Sequence, residues 1–413
     1  MVNLPKYFML AIILVAVFIF NPLPCRAEDI ADSNNKFTFE LYLKLIQGKE
    51  GRNEFFSPFS IVTAMGMTYE GARGQTKDEM QKVFHFPLND KTRRDGFFNL
   101  INEINKKDKK YQLHTANALW VEKTYKLLDD YLKVIERYYQ GKATNVGFID
   151  PTEREQAVFT INGWIEGNTN RKIKNIITPQ AVSQDTRLIL TNAIYFKGKW
   201  QTQFKKNLTK DEDFKVSPNK KVKVPMMTMD MKGFNEYPEF NYTETEDLQA
   251  IELPYEGKEL SMIILLPKVD LESIEKTLTY ERISEIKRKL SMTPVDLYLP
   301  RFKFEREYTL KEVFAGMGMP TAFSDDADFS GMDGTKKLKI DDVIHKAFVE
   351  VNEEGTEAAA ATAVIMLSKA SVERTKKPVV FRADHPFIFI IQHNTTGAIL
   401  FIGKVYEPKE NSH

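Results

Sequence analysis

Cysteine is nearly missing from this sequence: Cys25 is the single one in 413 residues. That excludes an internal disulfide framework and any zinc or iron–sulfur site built on Cys. An excess of one charge is missing as well. Lys and Arg total 58 against 57 Asp and Glu, a net charge of +1, so the basic footprint of a nucleic-acid-binding chain is absent. No GxSxG, HExxH, GxxxxGK[ST] or GxGxxG occurs; Gly316-Met-Gly318 lacks the third glycine. No Pro-rich or Ser/Gly-rich linker and no fixed-period repeat divides the chain. The histidines are scattered, and His385, beside Asp384 but ahead of Pro386 and an apolar strand, reads as a hydrogen-bonded structural residue. No catalytic residues, metal ligands or organic cofactor are expected.

What is present is a globular composition, 42% hydrophobic, 12% aromatic and 28% charged, long enough for one large core. At the N-terminus Lys6 precedes an unbroken apolar run from Phe8 to Phe20. As a helix this run rises about 20 Å, short of the roughly 30 Å of a bilayer core. Asn21, Pro22 and Pro24 then interrupt it, and Cys25-Arg26-Ala27 resembles a small-residue cleavage site. The reading is a secretory signal peptide over residues 1–27 and a mature single domain over 28–413. The mature protein is expected to be secreted and extracellular (periplasmic in a bacterium), a monomer, without a thiol and without membrane attachment. An uncleaved membrane anchor and a lipid anchor on Cys25, the latter disfavoured by Pro24, are the rival readings. Asn207, Asn241 and Asn394 each open an N-glycosylation sequon.

Helical and strand signals mix along the chain. Ile161 to Ile176 reads as a helix stopped at Thr178-Pro179, and Leu188–Phe196 and Leu260–Leu266 as buried strands. Leu297 and Leu299 alternate, then the phase slips to Phe302 and Phe304 across Pro300, implying a bulge or a strand start. Phe387–Ile391 and Ala398–Val405 pair as a hairpin. From Phe37 to Leu45 the apolar residues alternate like a strand while their types favour helix, and pattern alone leaves that segment open. The sum is a mixed α/β (α+β) chain.

The unusual stretch runs from Glu353 to Pro386. Ala358, Ala359, Ala360 and Ala361, flanked by Thr356 and Thr362, have an Ala-rich helix as their bland reading. The β-branched residues that follow, and Gly355 placed before them as a hinge, speak against a helix, and pattern alone leaves helix and strand both open. In a strand, one face would carry Thr356, Ala358, Ala360, Thr362, Val364 and Met366, small and uncharged. The other carries Glu357, Ala359, Ala361, Ala363 and Ile365. A segment able to be either an exposed loop or a buried strand is a candidate switch.

A dozen short motifs in order give the chain a resemblance. They include Asn53-Glu-Phe-Phe-Ser-Pro-Phe-Ser-Ile61, Asn117-Ala-Leu-Trp120, Leu190-Thr-Asn-Ala-Ile-Tyr-Phe-Lys-Gly198 with Trp200, Leu299-Pro-Arg-Phe302, His345-Lys346, Val349-Glu-Val-Asn-Glu-Glu-Gly-Thr-Glu-Ala358, Asp384-His-Pro-Phe387 and Phe401-Ile-Gly-Lys404. On these the mature chain resembles the serpins, inhibitory type. The resemblance implies three β-sheets, eight or nine helices and an exposed reactive-centre loop over about 353–380, and it makes the Phe37–Leu45 segment helical. It also implies a mechanism: a serine protease attacks the loop, and the severed strand inserts into the large sheet before the acyl-enzyme is hydrolysed.

Residue roles follow from the same resemblance. Glu353, Glu354, Gly355, Thr356 and Glu357 to Thr362 would be the hinge. Counting from Gly355 places the reactive bond at Lys369-Ala370, which suits the acidic S1 pocket of a trypsin-like protease. Arg374 is the alternative, and Met366 or Leu367 would suit chymotrypsin-like enzymes. Ser57, Ser60, Asn192 and His345 match a polar cluster beneath the point where the sheet opens. Glu353 and Arg301, with Trp200 nearby, match a pair at its top; an ordinary exposed ion pair there would be worth little. Lys106, Lys107, Lys109, Lys110, Lys220, Lys221 and Lys223 could bind glycosaminoglycan, though a solvated surface is the simpler reading. A non-inhibitory carrier or chaperone is the alternative function, and an enzyme a further one.

Overall fold

The segment with the strand-like alternation is a helix. In the computed structural model, which describes residues 29–49, 51–229, 237–356 and 377–409, it belongs to α1 (Ile30–Ile46). Phe37, Leu41 and Leu45 also recur at i, i+4 and i+8, and these three are buried while Leu43 is 37% exposed. The helical period therefore decides, and the period-two pattern is a coincidence within it. The Asp29 carboxylate caps the helix by accepting from the amide of Ala31.

Along the chain follow β1 (Glu54–Phe56), α2 (Pro58–Gly71), α3 (Gly74–Phe84), α4 (Asp90–Ile104), β2 (Tyr111–Glu122), α5 (Asp129–Tyr139), β3 (Lys142–Val146), α6 (Pro151–Asn168) and β4 (Leu188–Lys199). A strand-rich stretch comes next: β5 (Lys210–Ser217), β6 (Lys220–Thr228), β7 (Glu239–Glu244), β8 (Leu248–Pro254) and β9 (Leu260–Pro267). The last third holds α7 (Leu271–Glu275), α8 (Tyr280–Lys289), β10 (Ser291–Pro300), β11 (Phe302–Thr309), α9 (Lys311–Met317), α10 (Ser330–Asp333) and β12 (Asp342–Val351). It closes with β13 (Gly355–Thr356), β14 (Val379–Arg382), β15 (Phe387–His393) and β16 (Ile399–Val405).

Among the described residues two connected sheets result, of ten and six strands. The first runs β1-β16-β15-β9-β8-β7-β10-β6-β5, with β14 beside β10. It behaves as two sheets sharing one strand. The first half of β10, Ser291–Pro294, pairs with β7, and the second pairs with β6 and β14. Counted so, the three expected sheets are present. The described residues form ten α-helices where eight or nine were expected, because α7 and α10 are short turns of helix. The Phe387–Val405 hairpin is as expected. The phase slip at Pro300 is a strand boundary: β10 ends on Pro300 and β11 begins at Phe302.

One helix was misplaced. The predicted Ile161–Ile176 element is α6, which begins at Pro151 and ends at Asn168. Its start was legible as Asp150-Pro-Thr-Glu153, where the Asp150 side chain accepts from the Glu153 amide at 3.0 Å. Its end was not: Asn170 and Arg171 take φ of 51° and 59°, and left-handed residues stop a helix.

The six-stranded sheet, in order β11-β12-β13-β4-β2-β3, positions the site. The hydrophobic α2, every residue of it buried, lies under this sheet and against β16. On the outer face α6 covers a separate small core, in which Ile161 and Ile165 pack over Ala116, Ala118, Ala193 and Ile344. Small residues there keep the helix close to the strands.

Candidate functional site

The parallel neighbours β4 and β12 run side by side from Ile189–Tyr195 and Asp342–Phe348. At their upper end a short strand separates them. β13 lies between the two, antiparallel to both: Thr356 faces Gly198 on one side and Val351 on the other. Gly355 is required here, since a Cβ on it would sit 2.0 Å from the carbonyl oxygen of Gly198. The Thr356 side chain points inward, where its hydroxyl and that of Tyr255 share a hydrogen bond of 2.7 Å. Of the span of about 353–380 expected as the reactive loop, Glu353, Glu354, Gly355 and Thr356 are buried here, and Val380 is within β14.

Glu353 is anchored in the same place. The single Arg301 Nε–H is shared between the two oxygens of its carboxylate at 2.8 Å each, Arg301 Nη2 also donates to the carboxylate, and the Thr209 hydroxyl donates to it at 2.5 Å. The Glu353 side chain is 2% exposed and that of Arg301 40%, so the pair is a half-buried clamp. Burial pushes the Glu353 carboxyl up, but the bonds from Arg301 and Thr209 outweigh it and hold it below the usual range. Trp200 lies beside this pair. Its indole N–H donates to the Asn352 carbonyl at 3.0 Å and its ring stacks on Tyr255 at 4.6 Å. Lys206 pairs with Glu354 at 2.6 Å.

Deeper along the same two strands lies the polar cluster. Ser57 begins α2 as its N-cap and donates its hydroxyl to the Leu400 carbonyl at 2.6 Å. The amide of Ser57 donates to His345 Nε2 at 3.1 Å. That leaves the proton on Nδ1, which donates to the Asn192 side-chain oxygen. The Asn192 amide in turn donates to Ser60 Oγ at 2.5 Å and to Asn117 Oδ1. Sequence reasoning quoted Asn117 in a motif but gave it no place in this cluster; its position on β2 opposite Asn192 supplies one.

Burial holds the His345 imidazole down to about 3. A proton on Nε2 would face the Ser57 N–H, donor against donor. The sign follows from linkage. Because the folded pKa is depressed below the ordinary 6.5 or so, the stabilising effect is complete above that value and is lost as pH falls towards 3, at about 1.4 kcal/mol per pH unit. A urea titration at pH 7 and pH 5 should therefore show a large drop in midpoint, and His345→Gln should reduce the drop. An equal drop in that variant would remove His345 as its source.

The remaining site residues divide. Glu357–Thr362, Lys369, Ala370, Arg374, Met366, Leu367 and the segment 1–27 lie outside the described residues. Asn207 is exposed in a short 3₁₀ turn. The side-chain amides of Asn241 and Asn394 are engaged with Glu252 and the Lys258 carbonyl. The basic runs are interleaved with acid: Lys106 meets Glu103 and Glu259, Lys220 meets Glu407, and Lys223 meets Asp213. His385 is hydrogen-bonded to Asp384 and the Pro267 carbonyl. Among the described residues no group of three or more His, Cys, Asp or Glu could hold a metal, and no helix is long and apolar enough to cross a membrane.

Comparison with known proteins agrees with this geometry. The family model described as serpin (serine protease inhibitor) matches residues 32–408. An uncharacterized serpin-like protein of Thermococcus kodakarensis is 43% identical over 93% of this chain and 87% of its own. The leukocyte elastase inhibitor of Xenopus tropicalis is 40% identical over 92% of this chain and all of its own. Among solved structures, Serpin48, described as a highly specific serpin of the insect Tenebrio molitor, superposes with a TM-score of 0.82 at 31% identity, covering 92% of this chain and 98% of that one.

Proposed function

The chain belongs to the serpin family, and from that membership we propose that it is a secreted suicide-substrate inhibitor of trypsin-like serine proteases, with Lys369 as the residue that enters the protease's S1 pocket. It acts without cofactor or catalytic residues of its own. The observation that carries this reading is the short strand β13, seated between β4 and β12 in antiparallel register to each.

Continuing that register is simple arithmetic. Each residue further along the loop moves one residue back along both neighbours. Ala358 would meet Phe196 and Val349, Ala360 would meet Ile194 and Ala347, and Thr362 would arrive level with both Asn192 and His345. The inward face of the inserting strand is then Ala358, Ala360, Thr362, Val364 and Met366, without a charge. Glu357 would point outward beside Lys197, and Ala361 would fit over Ala193 beneath α6. Entry of Thr362 requires the Asn192–His345 hydrogen bond to part, which makes that bond a restraint on premature opening.

The energy has a scale. From Glu357 to Met366 the strand gains hydrogen bonds on both sides, while the direct β4–β12 pairs are given up. At roughly 1 kcal/mol net for each bond gained, the balance is on the order of 10 kcal/mol, as large as the whole stability of many domains.

Incubation with trypsin followed by a denaturing gel tests the proposal. A conjugate near the summed masses is expected, with a released C-terminal fragment that begins at Ala370. A fragment beginning at Thr375 moves the reactive bond to Arg374. Clipping without a conjugate supports the carrier or chaperone instead, and an intact chain labelled by an active-site serine probe supports an enzyme. Secretion rests on the apolar run Phe8–Phe20 and the site after Ala27; exported protein should begin at Glu28.

A further inference from the structure

Tyr255 sits immediately after β8, with its ring in an aromatic box. It stacks on Trp200 at 4.6 Å and meets the edge of Phe196 at 5.1 Å. A Cβ on Gly198 would lie 2.9 Å from the Tyr255 ring, so the glycine on β4 is what lets the ring slide beneath the strand. The tyrosine is 1% exposed, and so is Thr356. Among the described residues the partner of its hydroxyl is the hydroxyl of Thr356.

This arrangement has two states with unequal hydrogen bonding. With β13 in place, both hydroxyls are satisfied. With β13 withdrawn, Thr356 recovers water while the Tyr255 hydroxyl stays among Trp200 and Phe196, and a buried hydroxyl without a partner is unfavourable. The backbone contacts of Gly355 and Thr356 would form with any residue at 356, but the Tyr255 bond forms only with a hydroxyl or another polar group there.

We infer that Tyr255 is a positioning residue that reads the hydroxyl at position 356, holds the hinge between β4 and β12 before cleavage, and gives the severed loop its starting register. The inference rests on the inhibitory reading for its consequence in trapping, but not for the contact itself. It assigns a side-chain preference: Thr or Ser at 356 is matched to Tyr at 255, and an apolar residue at 356 is matched to Phe at 255.

A double-mutant cycle tests this with two readouts. Amide hydrogen exchange at Gly355 and Thr356 in the intact protein reports hinge seating, and stoichiometry of inhibition against trypsin reports insertion. Thr356→Val should leave Tyr255 without a partner and speed exchange about tenfold, the factor expected for one lost net hydrogen bond. Tyr255→Phe should do so by a smaller factor, because the phenylalanine has no hydroxyl to strand. In the double variant the two apolar groups face each other, and exchange should return towards that of the unaltered protein. Thermal unfolding of the body should stay unchanged across the set. Additive effects in the double variant, or unaltered exchange in Thr356→Val, would overturn the inference. If the unaltered protein forms no conjugate with trypsin, the inhibitory reading fails, and the exchange cycle still decides the hinge contact by itself.

Discussion

Under the inhibitory function proposed above, replacing Thr356 by Arg should turn the protein from a trap into a substrate: trypsin would clip the loop, leave, and carry no covalent conjugate onto a denaturing gel. The reason lies in what surrounds the position. Thr356 is 1% exposed and its hydroxyl meets that of Tyr255, within a wall made by Trp200 and Phe196. An arginine there would have to bury its guanidinium without a carboxylate opposite, at a cost of several kcal/mol. Even about 3 kcal/mol slows the first step of insertion roughly a hundredfold, at 1.36 kcal/mol per tenfold. Trapping is a race between insertion and hydrolysis of the acyl-enzyme, so a delay of that size hands most encounters to hydrolysis. The intact variant should keep its unfolding temperature, since an arginine hinge can move out into water. Continued stoichiometric trapping by the variant would contradict insertion through β4 and β12.

The same position shows how far sequence reasoning reached. The two faces of the Thr356–Met366 segment, one small and uncharged, could be read from alternation alone. The motif order led to the family, and with it to the parts that alternation misread, such as α1. What the sequence could not show is that Gly355 and Thr356 are already within the sheet, because two residues carry no periodic signal and the pairing partners lie some 150 residues away on β4. The burial of the Glu353 clamp was not legible for a related reason: a Glu and an Arg in sequence do not disclose which of their ends is buried, and here the carboxylate is the hidden one. Asn117 escaped because its role depends on β2 lying opposite Asn192, a pairing between distant strands. The misjudged end of α6 turns on Asn170 and Arg171 adopting left-handed backbone, which their identities permit but do not demand. Local chemistry was legible; contacts set by register across the large sheet were not.

Stored strain, released on cleavage, is what the proposed trapping depends on, and heat measures it directly. A gain on the order of 10 kcal/mol should raise the unfolding temperature by about 10 to 20 °C, since 1 kcal/mol moves it ~2–4 °C in chains of 150–250 residues and somewhat less in longer ones. The comparison is scanning calorimetry of the intact protein and of the same protein nicked once within the loop by a non-target protease. The account predicts that the nicked form melts well above the intact one. Coincident melting curves would contradict it, because the native sheet would then hold no free energy for a severed strand to release.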